Sequence, residues 1–170
     1  VFEKELQMRR ADGSLIWAAL SGRAVNRDDL AQGTVWVIMD ITRRKEEEER
    51  FRATFEQAAV GIALNDPSGR YLEVNDRLCE MLGYTREEML AMSWAEMTPP
   101  GDREQNVALF DELMAGQRTG YRMSKRFVRK DGGTVHTEID VRAVLGADGQ
   151  PKKLFATIQD VTERKAADEA

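Results

Sequence analysis

The chain has 170 residues, 42% hydrophobic and 32% charged, which suits one or two small globular domains. Its net charge of -5 supplies no basic face for phosphate, so nucleic acid is not expected as a direct partner. With Cys79 the only cysteine and His136 the only histidine, an internal disulfide, a four-cysteine zinc site and a two-histidine metal site are excluded by counting.

The longest apolar runs, Leu15 to Leu20 and Val35 to Met39, fall far short of the roughly 20 residues that cross a bilayer, and no secretory signal opens the chain. The expectation is a cytoplasmic segment without membrane contact. Phe2, Leu6 and Met8 alternate with charges, the period of a strand with one buried face. Asp12-Gly13 then offers the positive φ of a tight hairpin. Val35 to Met39 is apolar on both faces, as in a strand covered on both sides. Arg43 to Arg50 contains no apolar residue, yet Arg43 with Glu47, Arg44 with Glu48, Lys45 with Glu49 and Glu46 with Arg50 are opposite in sign at i,i+4. Such pairs contribute roughly 0.2–0.5 kcal/mol each, so a helix is predicted, continuing into a Phe51, Phe55, Ala58 stripe.

Further on, Gly61 to Asn65 and Tyr71 to Val74 read as short strands around the turn string Asp66-Pro-Ser-Gly69. Asn75 caps a helical turn ending at Gly83, and Thr85 with Glu88 forms a capping box for Arg86 to Met92. Pro99-Pro100 stops the chain, and Asp102 with Gln105 opens a longer helix, Arg103 to Ala115. Val107, Phe110, Leu113 and Met114 form its apolar stripe. Tyr121, Met123 and Phe127 alternate again. After Asp131-Gly132, Val135, Thr137, Ile139, Val141 and Ala143 face one way and His136, Glu138, Asp140 and Arg142 the other. Leu154 to Ile158 is the last strand, and a helix begins at Glu163. Three strings repeat at a near-constant separation: Met8 to Ser14 with Phe127 to Gly133, Arg23-Ala-Val25 with Arg142-Ala-Val144, and Asp40-Ile-Thr42 with Asp160-Val-Thr162. The chain therefore carries a duplication, with only the second copy preceded by two strands and three helices.

Phe55-Glu-Gln-Ala-Ala-Val-Gly-Ile62, Val74-Asn75, Cys79 followed by Gly83-Tyr84, the Asp131-Gly132 hairpin and Asp160-Val-Thr162 together resemble the PAS family with its C-terminal PAC motif. The resemblance implies an α+β fold in which a five-stranded antiparallel sheet carries helices over one face, preceded by the last three strands of another such domain. It divides the chain into a C-terminal β half (1–42), a helical linker (43–50), a complete domain (51–162) and the start of an exit helix (163–170). Three strands without covering helices would expose Phe2, Leu6, Met8, Ile16 and Leu20, so upstream residues or another chain are expected to cover them. The family implies a non-catalytic sensory and dimerisation module of a multidomain bacterial signalling protein, of histidine kinase or diguanylate cyclase type. It would act as a homodimer and relay its signal to an output domain of the same polypeptide through Asp40, Thr42, Phe51, Phe55, Asp160 and Thr162.

A ligand in such an interior would lie among Ile62, Leu72, Val74, Leu82, Trp94, Phe110, Ile139 and Ile158, with Asn65, Arg77 and Ser124 as polar contacts, and would be small and apolar or flat. Trp94 with Met89, Met92 and Met97 borders that interior and also reads as ordinary core. Flavin-binding light sensors of this family place their cysteine directly after the asparagine, whereas Cys79 lies three residues later than that, and Gln159 falls on the opposite face from Ile158. Haem-binding relatives use a histidine on the long helix, which here has none. No cofactor is therefore expected. Catalysis is disfavoured because a Ser-His-Asp arrangement would require His136, which points away from the interior. Two alternatives stay open, a flavin- or haem-binding redox or gas sensor and a ligand-free structural dimerisation module.

Overall fold

The computed structural model describes residues 2–26 and 33–168. They fall into two compact units divided between Thr54 and Phe55. The first contains an antiparallel sheet, β1 (Phe2–Arg9), β2 (Leu15–Ala24) and β3 (Thr34–Asp40), in the order β1-β2-β3. Its hairpin closes as expected at Gly13, φ 89. The covered third strand expected from its composition is not found among the described residues. Val35, Trp36, Val37, Ile38 and Met39 are each more than half exposed, because the described residues of this unit put no helical layer on the sheet.

Helix α1 (Thr42–Glu56) follows β3 and runs through the division between the units. Of the four predicted ion pairs along it, Arg43 with Glu47 forms at 2.8 Å. Arg44 and Lys45 instead turn to Glu5 of β1. Both cations thus share one carboxylate.

The second unit contains β4 (Gly61–Asn65), β5 (Tyr71–Val74), α2 (Asp76–Leu82), α3 (Arg86–Leu90), α4 (Pro100–Met114), β6 (Gly120–Val128), β7 (Thr134–Leu145), β8 (Pro151–Asp160) and α5 (Thr162–Asp168). Its five strands are antiparallel in the order β5-β4-β8-β7-β6. Helices α2 to α4 cover one face. The buried set includes Val74, Leu78, Leu82, Met89, Met97, Leu113, Phe127, Ile139, Leu154 and Ile158. Strand alternation is as expected on β7, where Val135, Thr137, Ile139 and Val141 are buried.

Local chemistry sets the helix ends. Asn75 caps α2 by accepting from the Leu78 amide, and Gly83 ends it at φ 77. Thr85 and Glu88 form the reciprocal capping box of α3, which stops at Leu90, two residues short of the expected end. Pro100 does not stop the chain but occupies the first turn of α4, where its missing N–H leaves no intrahelical bond unmade. Asp102 does not open that helix as a cap. Its carboxylate accepts from the Arg126 backbone amide (2.8 Å), Nε (3.0 Å) and Nη2 (2.7 Å), fastening α4 to β6. Rotated accordingly, α4 buries Asn106 and Leu113, while Val107 of the predicted stripe is exposed.

Candidate functional site

Between α4 and the sheet lies a cavity of about 30 Å³, lined by residues that include Ala63, Asn65, Tyr71, Trp94, Asn106, Phe110, Tyr121, Lys125, Phe127, Ile139, Ala156 and Ile158. That is room for a few water-sized groups, far below the roughly 300–1,000 Å³ of pockets for drug-sized ligands. As folded, the interior has space for only a few heavy atoms.

Lys125 dominates its chemistry. Strand alternation carries Tyr121, Met123, Lys125 and Phe127 of β6 to the inner face, and the lysine is only 4% exposed. Its Nζ donates to Asn106 Oδ1 (2.7 Å) and Thr98 Oγ1 (3.0 Å). The rings of Phe127 and Trp94 stand 4.1 and 4.9 Å from it, their negative faces favouring the cation. Asn106 is oriented in turn by donating from Nδ2 to the Tyr121 hydroxyl at 3.0 Å. Burial lowers the lysine pKa to about 7, opposed by the charge of Asp102. Burial also pushes the Tyr121 hydroxyl up to about 12 and the Tyr71 hydroxyl further up.

Of the residues proposed from sequence, Asn65, Trp94, Phe110, Ile139 and Ile158 line the cavity. Val74 at the end of β5 and Leu82 at the end of α2 are fully buried but do not reach its wall. Ile62 is buried on the opposite side of β4 from Ala63 and Asn65, since successive strand residues alternate. Leu72 is 41% exposed because Tyr71 takes the inward position on β5. Arg77 lies on the exposed face of α2, 3.7 Å from Glu80. Ser124 projects to the outer sheet face with Arg122, Glu138, Asp140 and Gln159. Cys79 is partly buried against the core, which raises its thiol pKa. The sequence marks Tyr121 as inward-facing but not as a contact, and it does not mark Tyr71, Asn106 or Lys125 as site residues. Lys125 stands between Met123 and Phe127 on the alternating face, so the same periodicity that marked those two also marks it.

The cavity wall continues to the end of the sheet. Lys125 pairs with Thr137, and Thr137 with Asp160, so the three occupy one rung. Thr137 Oγ1 donates to the Lys125 carbonyl at 2.9 Å. Asp160 accepts from the Thr162 amide at 2.9 Å, while Thr162 Oγ1 accepts from the His136 amide at 3.1 Å and the Val161 amide donates to the His136 carbonyl at 2.9 Å. These bonds fix the first turn of α5 to the start of β7. The first unit repeats the joint: Asp40 accepts from the Thr42 amide at 2.9 Å, Thr42 Oγ1 accepts from the Trp17 amide at 3.0 Å, and the Ile41 amide donates to the Trp17 carbonyl at 2.8 Å.

The end of α1 is held within the second unit. Asn75 donates to the Phe55 carbonyl (2.9 Å) and the Val60 carbonyl (3.0 Å) and accepts from the Ile62 amide (2.8 Å). Arg86 joins Glu56 (2.8 Å) to Asp76 (2.7 Å). Phe55 is buried, whereas Phe51 is 54% exposed. Among the described residues no group of acidic, histidine and cysteine side chains is arranged to hold a metal ion, and no helix is long and apolar enough to cross a membrane.

Comparison with known proteins agrees with this geometry. A family model described as PAS fold matches residues 55–166, and one described as PAS domain matches residues 1–43. A probable diguanylate cyclase, DgcE of Escherichia coli (strain K12), is 32% identical over 124 residues, which make up 73% of this chain and 11% of that protein. Sensor histidine kinase TmoS of Ectopseudomonas mendocina is 29% identical over 122 residues, 72% of this chain and 12% of that protein. The chain thus spans only a small part of these relatives. The crystal structure of a domain of a sensory box sensor histidine kinase/response regulator from Geobacter sulfurreducens superposes with a TM-score of 0.58 at 27% identity, covering 71% of this chain and 99% of that one.

Proposed function

The chain belongs to the PAS family, and from that premise we propose that it is a non-catalytic sensory module whose second unit passes occupancy of its cavity to α5 and so to an output domain. The similarity to a cyclase and a histidine kinase supports an output of that class. The observation that carries the relay is the single rung Lys125–Thr137–Asp160, with cavity wall at one end and the helix joint at the other. A rearrangement around the lysine reaches Thr162 along the ladder from Lys125 through Thr137 to Asp160, where Thr137 Oγ1 is bonded to the Lys125 carbonyl and Asp160 to the Thr162 amide. Repetition of the joint at Asp40–Thr42 supports a like role for α1 as an incoming connector.

The relay is tested by fusing the chain through α5 to a diguanylate cyclase domain and inserting residues after Asp168. Product formation should fall with insertions of about two residues and recover near seven, two helical turns. Output independent of insertion length contradicts the relay.

Homodimerisation is favoured by the exposed apolar row Trp36 to Met39, which calls for a cover. Sedimentation should show a dimer that Ile38→Lys dissociates. A monomer throughout the accessible concentration range overturns this part of the proposal.

A further inference from the structure

We infer that the cavity under α4 receives a small monocarboxylate of acetate or propionate size, its carboxylate held by Lys125 and the hydroxyls of Tyr71 and Tyr121. This rests on the sensory reading above and names the ligand class of that site.

The argument is one of unmatched donors. An ammonium carries three N–H bonds and accepts none. Two of those of Lys125 go to the neutral oxygens of Asn106 and Thr98, and among the described residues it forms no ion pair. Tyr121 spends its oxygen as an acceptor for Asn106, which leaves its proton to donate. Tyr71 is 4% exposed, lines the same cavity, and its hydroxyl has no hydrogen-bond partner among the described residues. Donors from β5 and β6 therefore border one small space. A carboxylate satisfies them with charge-assisted bonds, and a neutral guest of the same shape leaves the cation uncompensated. The remaining wall, Phe110, Ala156 and Ile158, suits a short apolar tail.

The duplication supplies an internal control. At the rung where the second sheet has Lys125, Thr137 and Asp160, the first has Leu6, Ala18 and Asp40. Where the second has Tyr121, the first has Phe2. The fold thus accepts apolar side chains at both positions, and the donors occur only in the sheet that bounds the cavity.

The experiment is an amide chemical-shift titration of the ¹⁵N-labelled 170-residue chain with sodium acetate and sodium propionate. Ionic strength is held with sodium chloride, and acetamide serves as the neutral isostere. Saturable shifts are expected at Tyr71, Lys125 and Thr137, with acetamide at least about tenfold weaker. Lys125→Met should keep a dispersed spectrum and lose the response, and Tyr71→Phe should weaken it several-fold. The assignment is overturned if neither salt gives saturable shifts, if acetamide equals acetate, or if neither variant weakens binding. Failure of both salts while Ala156→Leu, which fills the cavity, still alters amide exchange at Thr162 removes the ligand class and leaves the relay standing. Saturable binding with no change at Thr162 upholds the ligand class and removes the relay.

Discussion

The two sheets share a pattern and differ in what lies over it. Ile38 of β3 and Ile158 of β8 occupy equivalent positions two residues before the aspartate that starts a helix, yet Ile38 is 59% exposed and Ile158 is 3% exposed. One rung shows how the difference is absorbed. In the first sheet the row is Phe2, Gly22 and Trp36; in the second it is Tyr121, Val141 and Ala156. Trp36 lies over Gly22, where a Cβ would come within 2.7 Å of its ring, and meets Phe2 edge-on at 5.7 Å. The uncovered sheet folds an aromatic ring over itself, whereas the covered one has Ala156 in place of Trp36, which leaves space beneath α4. A hairpin and its helix joint are thus encoded locally in both copies. An interior requires the segment from Gly61 to Met114.

Substitutions at matched positions sharpen this contrast. Ile158→Ala should cost about 3–4 kcal/mol in chemical denaturation at any protein concentration, because it opens a cavity inside one chain, whereas the cost of Ile38→Ala should fall below about 0.5 kcal/mol on dilution to the monomer. Equal costs at every concentration would mean that Ile38 is covered within the single chain. Lys125 gives the next largest effect, and its sign is fixed. Its folded pKa near 7 lies below the ordinary 10.5, so between those values the unfolded chain binds more protons and stability rises with pH. The penalty is complete below pH 7 and fades towards pH 10, with Asp102 opposing it. Relative to Lys125→Met, the parent should gain on the order of 3 kcal/mol between pH 6 and pH 10, a trend that denaturation at each pH resolves and that Leu6→Met should not show.

Asn75→Ala removes four hydrogen bonds that join α2, β4 and the end of α1, at about 2–3 kcal/mol. It should strip helical cover from the second sheet, seen as faster amide exchange at Ile139 and Ile158, while β1 to β3 are unaltered. Asp102→Asn should cost less than Asn75→Ala, about 1 kcal/mol at neutral pH. The Arg126 guanidinium holds the Asp102 pKa to about 2, so its contribution is present above pH 4 and is lost as pH falls through 2. The parent and variant should therefore converge in acid.

Much of the fold was legible in the sequence because its signals are local. The Asp-Gly hairpins, the Thr85–Glu88 capping box, Asn75, Gly83 and the duplicated Asp-x-Thr joints each depend on residues close in the chain. The cavity was legible only in part. Alternation placed Ile139 and Ile158 on its wall, but Ile62 and Leu72 required the phase of short strands, where one misplaced residue reverses the face. The charge of Lys125 argues for solvent, and its burial depends on Asn106 and Thr98, distant in sequence. The role of Asp102 is hidden in the sequence for the same reason, since its partner Arg126 lies on another element.

Amide exchange at the two helix joints, compared between the parent and Lys125→Met, tests the coupling of cavity to helix most directly. Exchange at Val161 and Thr162 should change several-fold, with Ile41 and Thr42 unchanged. Equal changes at both joints, or none at Val161 and Thr162, would show that the lysine is only a buried side chain and that the rung transmits nothing.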